Sequence, residues 1–244
     1  MFLSEIIPRG GLAVPAEFRN PVAIITKNFL VTRDADVLAE LARHQAAAVW
    51  ISLTTLDPEL RGLMEPRTSP TPARLAAIRQ LSAAGIPVSV NLAPVIPGLN
   101  DREIPALLAA AAAAGATGAG YELLRLPHAN AVLLETWLAT HYPDRKDKVL
   151  NQVRAMRGGK LNDSQWGLRM TGEGIFADQI RRIFDEAGPQ AGITNDHPPL
   201  STAAFRRPGG TQLELLQFRS RRREESLIQM RIKGPAATAG FIWL

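Results

Sequence analysis

The chain has 244 residues, a formal net charge of +5, 46% hydrophobic residues and no cysteine. This composition allows one large α/β domain or two small ones, and it excludes disulfides, thiolate zinc sites and cysteine nucleophiles. No apolar run of about 18 residues occurs, and the first residues lack the basic-then-apolar order of a signal peptide. We therefore expect a cytoplasmic protein with no membrane association.

Four short apolar segments, rich in β-branched residues, alternate with helical patterns. The predicted strands are VAIITK (22–27), AVWISL (48–53), VSVNLA (88–93) and AGYELL (119–124). The predicted helices that follow them are 34–45, 71–85, 101–115 and 129–142, and two further amphipathic helices are predicted within 143–159 and 174–188. Strands that are apolar on both faces and alternate with helices form parallel sheets covered by helices, so the predicted fold class is α/β. Units of this size are typical of TIM-type barrels, but four of them are too few to close one.

Polar residues cluster at the ends of the predicted strands. Lys27 closes the first, Ser52, Thr54 and Thr55 close the second, and Asn91 lies within the third. Tyr121, Glu122 and Arg125 lie along or just after the fourth. Ligands bind at the carboxyl ends of parallel strands. A lysine suits a carboxylate or a phosphate, and hydroxyl and amide groups suit a ribose. The alternative is a solvent-facing lysine with ordinary helix-capping hydroxyls.

A long loop, LDPELRGLMEPRTSPTPAR (56–74), follows the second predicted strand and contributes Glu65, Arg67 and Arg74. One interpretation is a proline-stiffened surface connection with an internal ion pair. The other is a substrate loop, because long loops after strands lie on the ligand side. The four histidines do not lie at metal-ligand spacing from one another, so no metal site is predicted.

Several stretches resemble the radical S-adenosylmethionine (SAM) proteins related to spore photoproduct lyase, often called DNA repair photolyase-like proteins. The resemblance covers residues 18–216, most clearly FRNPVAIITKNFLVTRDADVLAELA (18–42), VWISLTTLDPELRGLMEPRTSPTPARLAAIRQLSAAGIPVSVNLAPVIPGLND (49–101), GYELLRLP (120–127), VRAMRGGKLNDSQWGLRMTGEG (153–174) and LSTAAFRRPGGTQLELL (200–216). It implies a partial TIM-type barrel, the last four βα units of a radical SAM (βα)6 barrel, with a helical C-terminal extension.

The resemblance also implies a division of the chain. Residues 1–17 are an unmatched N-terminal segment, 18–142 the partial barrel, 143–216 the helical and loop extension, and 217–244 a basic tail expected to be disordered. Neither end resembles the family, which would fit a truncated or frame-shifted reading frame whose N-terminal half is a missing partner.

Matched residue by residue, the resemblance implies a SAM site. Lys27 looks like the family's lysine that contacts the SAM carboxylate, and Ser52 matches a serine that faces the ribose. Ile96 and Pro97 belong to the loop whose backbone borders the adenine, and Asn91 would face the barrel interior. As substrate contacts we consider Glu65, Arg67, Tyr121 and Arg125.

The family holds a [4Fe-4S] cluster on three cysteines, and one-electron reduction of the bound SAM releases a 5′-deoxyadenosyl radical, in some relatives for nucleic-acid repair or modification. This chain has no cysteine, so we expect it to be catalytically inactive alone, with no catalytic residues and no cluster. One alternative is a non-catalytic module that binds SAM or, through its basic tail, nucleic acid. The other is a small α/β enzyme that uses Lys27, Glu65 or Arg67 for acid–base chemistry.

Overall fold

The computed structural model describes residues 9–162, 168–195, 199–207 and 240–243. Two 3-10 helices, Phe29–Asp34 and Asp101–Glu103, lie between the longer elements. In chain order these longer elements are α1 (Arg9–Phe18), β1 (Val22–Thr26), α2 (Ala35–Ala42), β2 (Ala47–Leu53), α3 (Pro58–Met64), α4 (Thr71–Ala83), β3 (Val88–Val95), α5 (Ile104–Ala113), β4 (Gly118–Leu123), α6 (Asn130–His141), α7 (Pro143–Ala155), α8 (Leu168–Thr171), α9 (Gly174–Gln190) and β5 (Gly240–Trp243).

The five described strands form one sheet in the order β4-β3-β2-β1-β5. Every neighbouring pair is parallel. The connections between β1 and β4 contain helices, as parallel neighbours require. The predicted α/β class with four consecutive βα units is therefore confirmed.

One face of the sheet is apolar and packs against helices. Alternate residues of a strand point to opposite faces, and residues paired in register share a face. The core on this face is formed by strand residues such as Ile24, Val49, Ile51, Val90 and Leu92, each at most 1% exposed. Burial of side chains of this kind stabilises a fold by about 1.5–3 kcal/mol each. The apolar residues on this face of the strands therefore form the surface against which the helices pack.

The other face carries the polar side chains. Ser52 pairs with Asn91, and Asn91 pairs with Gly120. Trp50 precedes Ser52 by two residues and pairs with Ile25, two residues before Lys27, so these residues share the face by alternation. A Cβ added to Gly120 would lie 3.3 Å from Cζ3 of Trp50. Gly120 therefore leaves room for the indole.

The sequence did not predict four of these elements: α1, α3, α8 and β5. The helix α3 lies inside the long loop and begins after Asp57, whose carboxylate accepts hydrogen bonds from the backbone N–H groups of Glu59 and Leu60. Residues 1–8 and most of the basic tail, including Arg219, Arg221, Arg222 and Arg223, lie outside the described residues. No helix within the described ranges is long and apolar enough to cross a membrane.

Candidate functional site

Lys27 lies at the carboxyl end of β1, where three oxygen acceptors surround its ammonium group. Its Nζ donates to Oε1 of Glu65 and to the Ala93 carbonyl oxygen, the latter at 3.0 Å. The third acceptor is Oγ1 of Thr54, 3.4 Å away. The Lys27 side chain keeps 28% of its surface exposed, so a ligand at this edge of the sheet can reach it.

Glu65 follows α3 and lies between two cations. Its Oε1 accepts from Lys27 and from the Thr54 hydroxyl at 2.7 Å, and its Oε2 accepts from the Arg74 guanidinium at 2.7 Å. Burial raises the pKa of Glu65, but the charges and hydrogen bonds of Lys27 and Arg74 outweigh this effect and hold the pKa below its ordinary value. Glu65 is therefore ionised at neutral pH.

Arg74 anchors this carboxylate from the interior. The side chain is fully buried, at 0% exposure. Beyond the bond to Glu65, its guanidinium donates to the carbonyl oxygen of Ser52 at 2.9 Å, to that of Ser69 at 2.7 Å, and to Oγ1 of Thr68. The planar fork of an arginine suits several acceptors in fixed directions. One residue of α4 thus ties the end of β2 to the loop that carries Glu65.

The loop after β3 is organised by Asn100, which is 3% exposed. Its amide nitrogen donates to the carbonyl oxygens of Thr54 at 2.8 Å and Pro94 at 3.0 Å, and its oxygen accepts from the Ile96 N–H at 2.6 Å. The Ile96 carbonyl accepts from the backbone N–H groups of Leu99 and Asn100. Hydrogen bonds within the loop therefore satisfy both the N–H and the carbonyl group of Ile96. The peptide bond between Ala93 and Pro94 is cis.

Three of the sequence-predicted residues meet on the polar face: Lys27, Ser52 and Asn91. Ser52 is 2% exposed and Asn91 is 6% exposed. The Asn91 amide donates to a Glu122 carboxylate oxygen at 3.4 Å, and Glu122 lies two residues beyond Gly120 on the same face. Glu65 joins this group through Lys27. Lys27 and Glu65, which are 38 positions apart in the chain, thus come into contact at the strand ends.

The other candidates lie elsewhere. Tyr121 pairs with Leu92 on the helix-facing side of the sheet, where its ring lies 4.8 Å from that of Phe184. Burial raises the pKa of the Tyr121 hydroxyl, partly offset by Arg181. The side chains of Ile96 and Pro97 are buried, and Ile96 belongs to an apolar cluster with α6 and α7.

Arg67 and Arg125 are exposed. Arg125 approaches Sδ of Met170 at 3.4 Å, and Arg67 lies two residues after Glu65 in the loop. Neither arginine shares a contact with Lys27. A role for either in substrate binding stays a prediction.

Sequence reasoning noted Thr54 at the end of the second strand and Arg74 in the long loop, but it left out Asn100. Thr54 carried a signal, since it follows Ser52 by two residues and so extends the same face of β2. Nothing in the sequence indicated the role of Asn100 or the backbone acceptors of Arg74, because a loop residue and a helix residue reveal their acceptors only in three dimensions. Cysteine is absent from all 244 residues, and no group of three or more potential metal ligands occurs within the described ranges.

The ion pairs of Glu65 predict a pH dependence of stability. A carboxyl group whose pKa is lowered on folding stabilises the folded state above its unfolded pKa, and this contribution is lost as the pH falls through the folded pKa. We expect Glu65→Gln to destabilise the protein at pH 7 and the difference in unfolding free energy from the wild type to shrink below about pH 4.3. Urea denaturation from pH 7 to pH 3 measures this. A difference that stays constant over that range would contradict the assignment.

Comparison with known proteins gives the context of this site. The sequence model of the radical SAM superfamily matches residues 6–111. The match contains β1 to β3 with Lys27, Ser52, Glu65, Arg74 and Asn91. It begins at residue 6, within the segment 1–17 that was predicted to lie outside the resemblance.

Relatives of this chain include uncharacterized proteins of Mycobacterium tuberculosis and Mycobacterium bovis, each 39% identical over 126 residues, which are 51% of this chain and 37% of the relative. A protein of Acidianus two-tailed virus is 35% identical over 80 residues, 33% of this chain and 26% of that protein. Matched regions thus span about a third of the relatives' length.

Solved structures with a similar arrangement include two variants of spore photoproduct lyase. One holds bound AdoMet and dinucleoside spore photoproduct and has a TM-score of 0.47. The other has a TM-score of 0.48. Each is 18% identical to this chain, and each alignment covers 74% of this chain and 51% of the lyase chain.

Proposed function

Because residues 6–111 match the sequence model of the radical SAM superfamily, we propose that this chain binds SAM at the carboxyl end of its sheet and leaves it intact. The observation that carries the proposal is the convergence of Lys27, Ser52 and Asn91, from three adjacent strands, on one face of the sheet. An ammonium, a hydroxyl and an amide are the groups that a carboxylate and a ribose require. Such sites lie at the carboxyl ends of parallel strands.

The residues present fit SAM. Lys27, which is partly exposed, would hold its carboxylate, and Ser52 and Asn91 would hold the ribose hydroxyls. The loop that contains Ile96 and Pro97 would border the adenine by its shape, since Ile96 already uses its N–H and carbonyl groups within the loop. When bound, SAM supplies an activated sulfonium to radical SAM enzymes.

The residues do not fit an iron–sulfur cluster. Clusters are held by cysteine thiolates, and none occurs among the 244 residues. We therefore derive no reaction through a cluster, and the function proposed for this chain is binding alone. Reductive chemistry on the bound SAM would require a partner that supplies the thiolates.

Calorimetric titration with SAM tests the proposal. Lys27→Met removes the ammonium and keeps most of the stem, so we expect at least a tenfold loss of affinity, the equivalent of about 1.4 kcal/mol. Lys160→Met, at an exposed position after α7, is the matched control and should bind as the wild type does. A wild type that binds no SAM, or a Lys27→Met variant with unchanged affinity, would contradict the proposal.

A further inference from the structure

We infer that Glu65 recognises the α-ammonium group of the ligand whose carboxylate Lys27 holds, an inference that rests on the proposed function. The geometry behind it is the set of acceptors around the Lys27 Nζ. These acceptors are a carboxylate oxygen of Glu65, the Ala93 carbonyl oxygen at 3.0 Å and the Thr54 hydroxyl at 3.4 Å. Together they form a place built for an ammonium group, which Lys27 fills in the free protein.

Glu65 is fixed, whereas Lys27 is free to move. The Glu65 side chain is 9% exposed, and its second oxygen is held at 2.7 Å by Arg74, whose guanidinium also bonds the Ser52 and Ser69 carbonyl oxygens. Arg74 is thus a positioning residue for this carboxylate. Lys27 is 28% exposed at the end of a long flexible stem. If the two charges separate, Lys27 moves and Glu65 stays.

A zwitterionic amino-acid group would exchange partners with this ion pair. The ligand carboxylate draws the Lys27 ammonium outward, and the ligand ammonium takes its place against Glu65, the Ala93 carbonyl oxygen and the Thr54 hydroxyl. One ion pair becomes two, no proton moves, and no carboxylate is left buried without a cation. Leaving a buried charge unpaired is costly, so the site favours ligands that bring both charges.

The chemical class of ligand is therefore an α-amino acid carried on a nucleoside. A ligand with the carboxylate alone would have to separate Lys27 from Glu65 without replacing it. A ligand with the ammonium alone would have to compete with the Lys27 ammonium for the same acceptors, and it would bring no carboxylate to draw Lys27 away. Glu65 is then the residue that makes the site select the amino-acid end of the ligand.

The test compares three ligands on two variants by calorimetry. The ligands are S-adenosylhomocysteine, its analogue with hydrogen in place of the α-amino group, and its decarboxylated analogue. The variants are Glu65→Gln and the control Glu59→Gln, which changes an exposed carboxylate on α3. Urea denaturation of each variant first establishes that it is folded under the conditions of the titration.

We expect Glu65→Gln to bind S-adenosylhomocysteine at least tenfold more weakly. It should bind the deaminated analogue at least as tightly as the wild type does, since its Lys27 is no longer held by a carboxylate. Glu59→Gln should match the wild type for every ligand. If Glu65→Gln lost equal affinity for S-adenosylhomocysteine and the deaminated analogue, or lost none for S-adenosylhomocysteine, the role of Glu65 would be overturned and the proposed function would stand. A wild type that binds none of the three would overturn the proposed function with it.

Discussion

Arg74→Leu should destabilise the folded chain by about 3–5 kcal/mol, the usual cost of removing one partner from a buried ion pair. The guanidinium is fully buried and donates to four acceptors on the strand end and the following loop. Leucine leaves the Ser52 and Ser69 carbonyl oxygens without that donor, and Glu65 with Lys27 as its only cation among the described residues. The free energy of unfolding from urea titration at pH 7 measures the loss.

A control on the same helix separates the effect of removing a buried guanidinium from the effect of removing a positive charge. Arg79→Leu removes an exposed guanidinium from α4 and should change stability by no more than about 0.5 kcal/mol. Arg74→Lys should fall between the wild type and Arg74→Leu, because an ammonium cannot span the same acceptors. A loss below about 1 kcal/mol for Arg74→Leu would show that the network contributes little to the fold.

Asn100→Asp is expected to have the second largest effect, about 3 kcal/mol at pH 7. The variant keeps the oxygen that accepts from the Ile96 N–H, but it replaces the amide nitrogen by an oxygen that faces the carbonyl oxygens of Thr54 and Pro94. Buried unsatisfied acceptors cost about 1–3 kcal/mol each, and more when one is charged. The loop after β3 would lose its link to the end of β2.

The pH dependence distinguishes this cause from a general loss of packing. A protonated carboxyl can donate to one of the two carbonyl oxygens, so the folded-state pKa of the new aspartate should be raised. Its destabilisation should then grow as the pH rises above about 3.9 and shrink below it. Asn130→Asp, at the exposed first residue of α6, is the control and should be neutral or slightly stabilising. Equal effects of both substitutions would contradict the role of Asn100.

The sheet was predictable because its strands repeat one simple pattern. Each of β1 to β3 is an apolar run that contains β-branched residues and is followed by a helical pattern, which is typical of a buried strand in a parallel sheet. β4 has no β-branched residue, but it too stands before a helical pattern. The helix α3 was missed because seven residues are too few for a clear period. Its signal was local: Asp57 at the cap, Pro58 at the first helical position and Glu59 in the first turn.

The candidate site was only partly predictable because its contacts depend on register. Alternation within β3 shows that Asn91 and Leu92 face opposite sides, but nothing in the sequence shows that Leu92 pairs with Tyr121. The prediction that groups Tyr121 with Asn91 therefore could not be tested until the pairing was known. The ion pair suspected within the long loop does form, as Glu65 with Arg74, although it is buried rather than exposed.

Recovery of SAM after equilibrium dialysis against the purified chain tests the central claim most directly. The protein is dialysed against labelled SAM under a chemical reductant, and the retained nucleoside is released and identified by chromatography. Retention of intact SAM, in a ratio approaching one per chain, is the result we predict. Failure to retain SAM would contradict the site, and formation of 5′-deoxyadenosine by the chain alone would contradict the claim that it binds SAM without cleaving it.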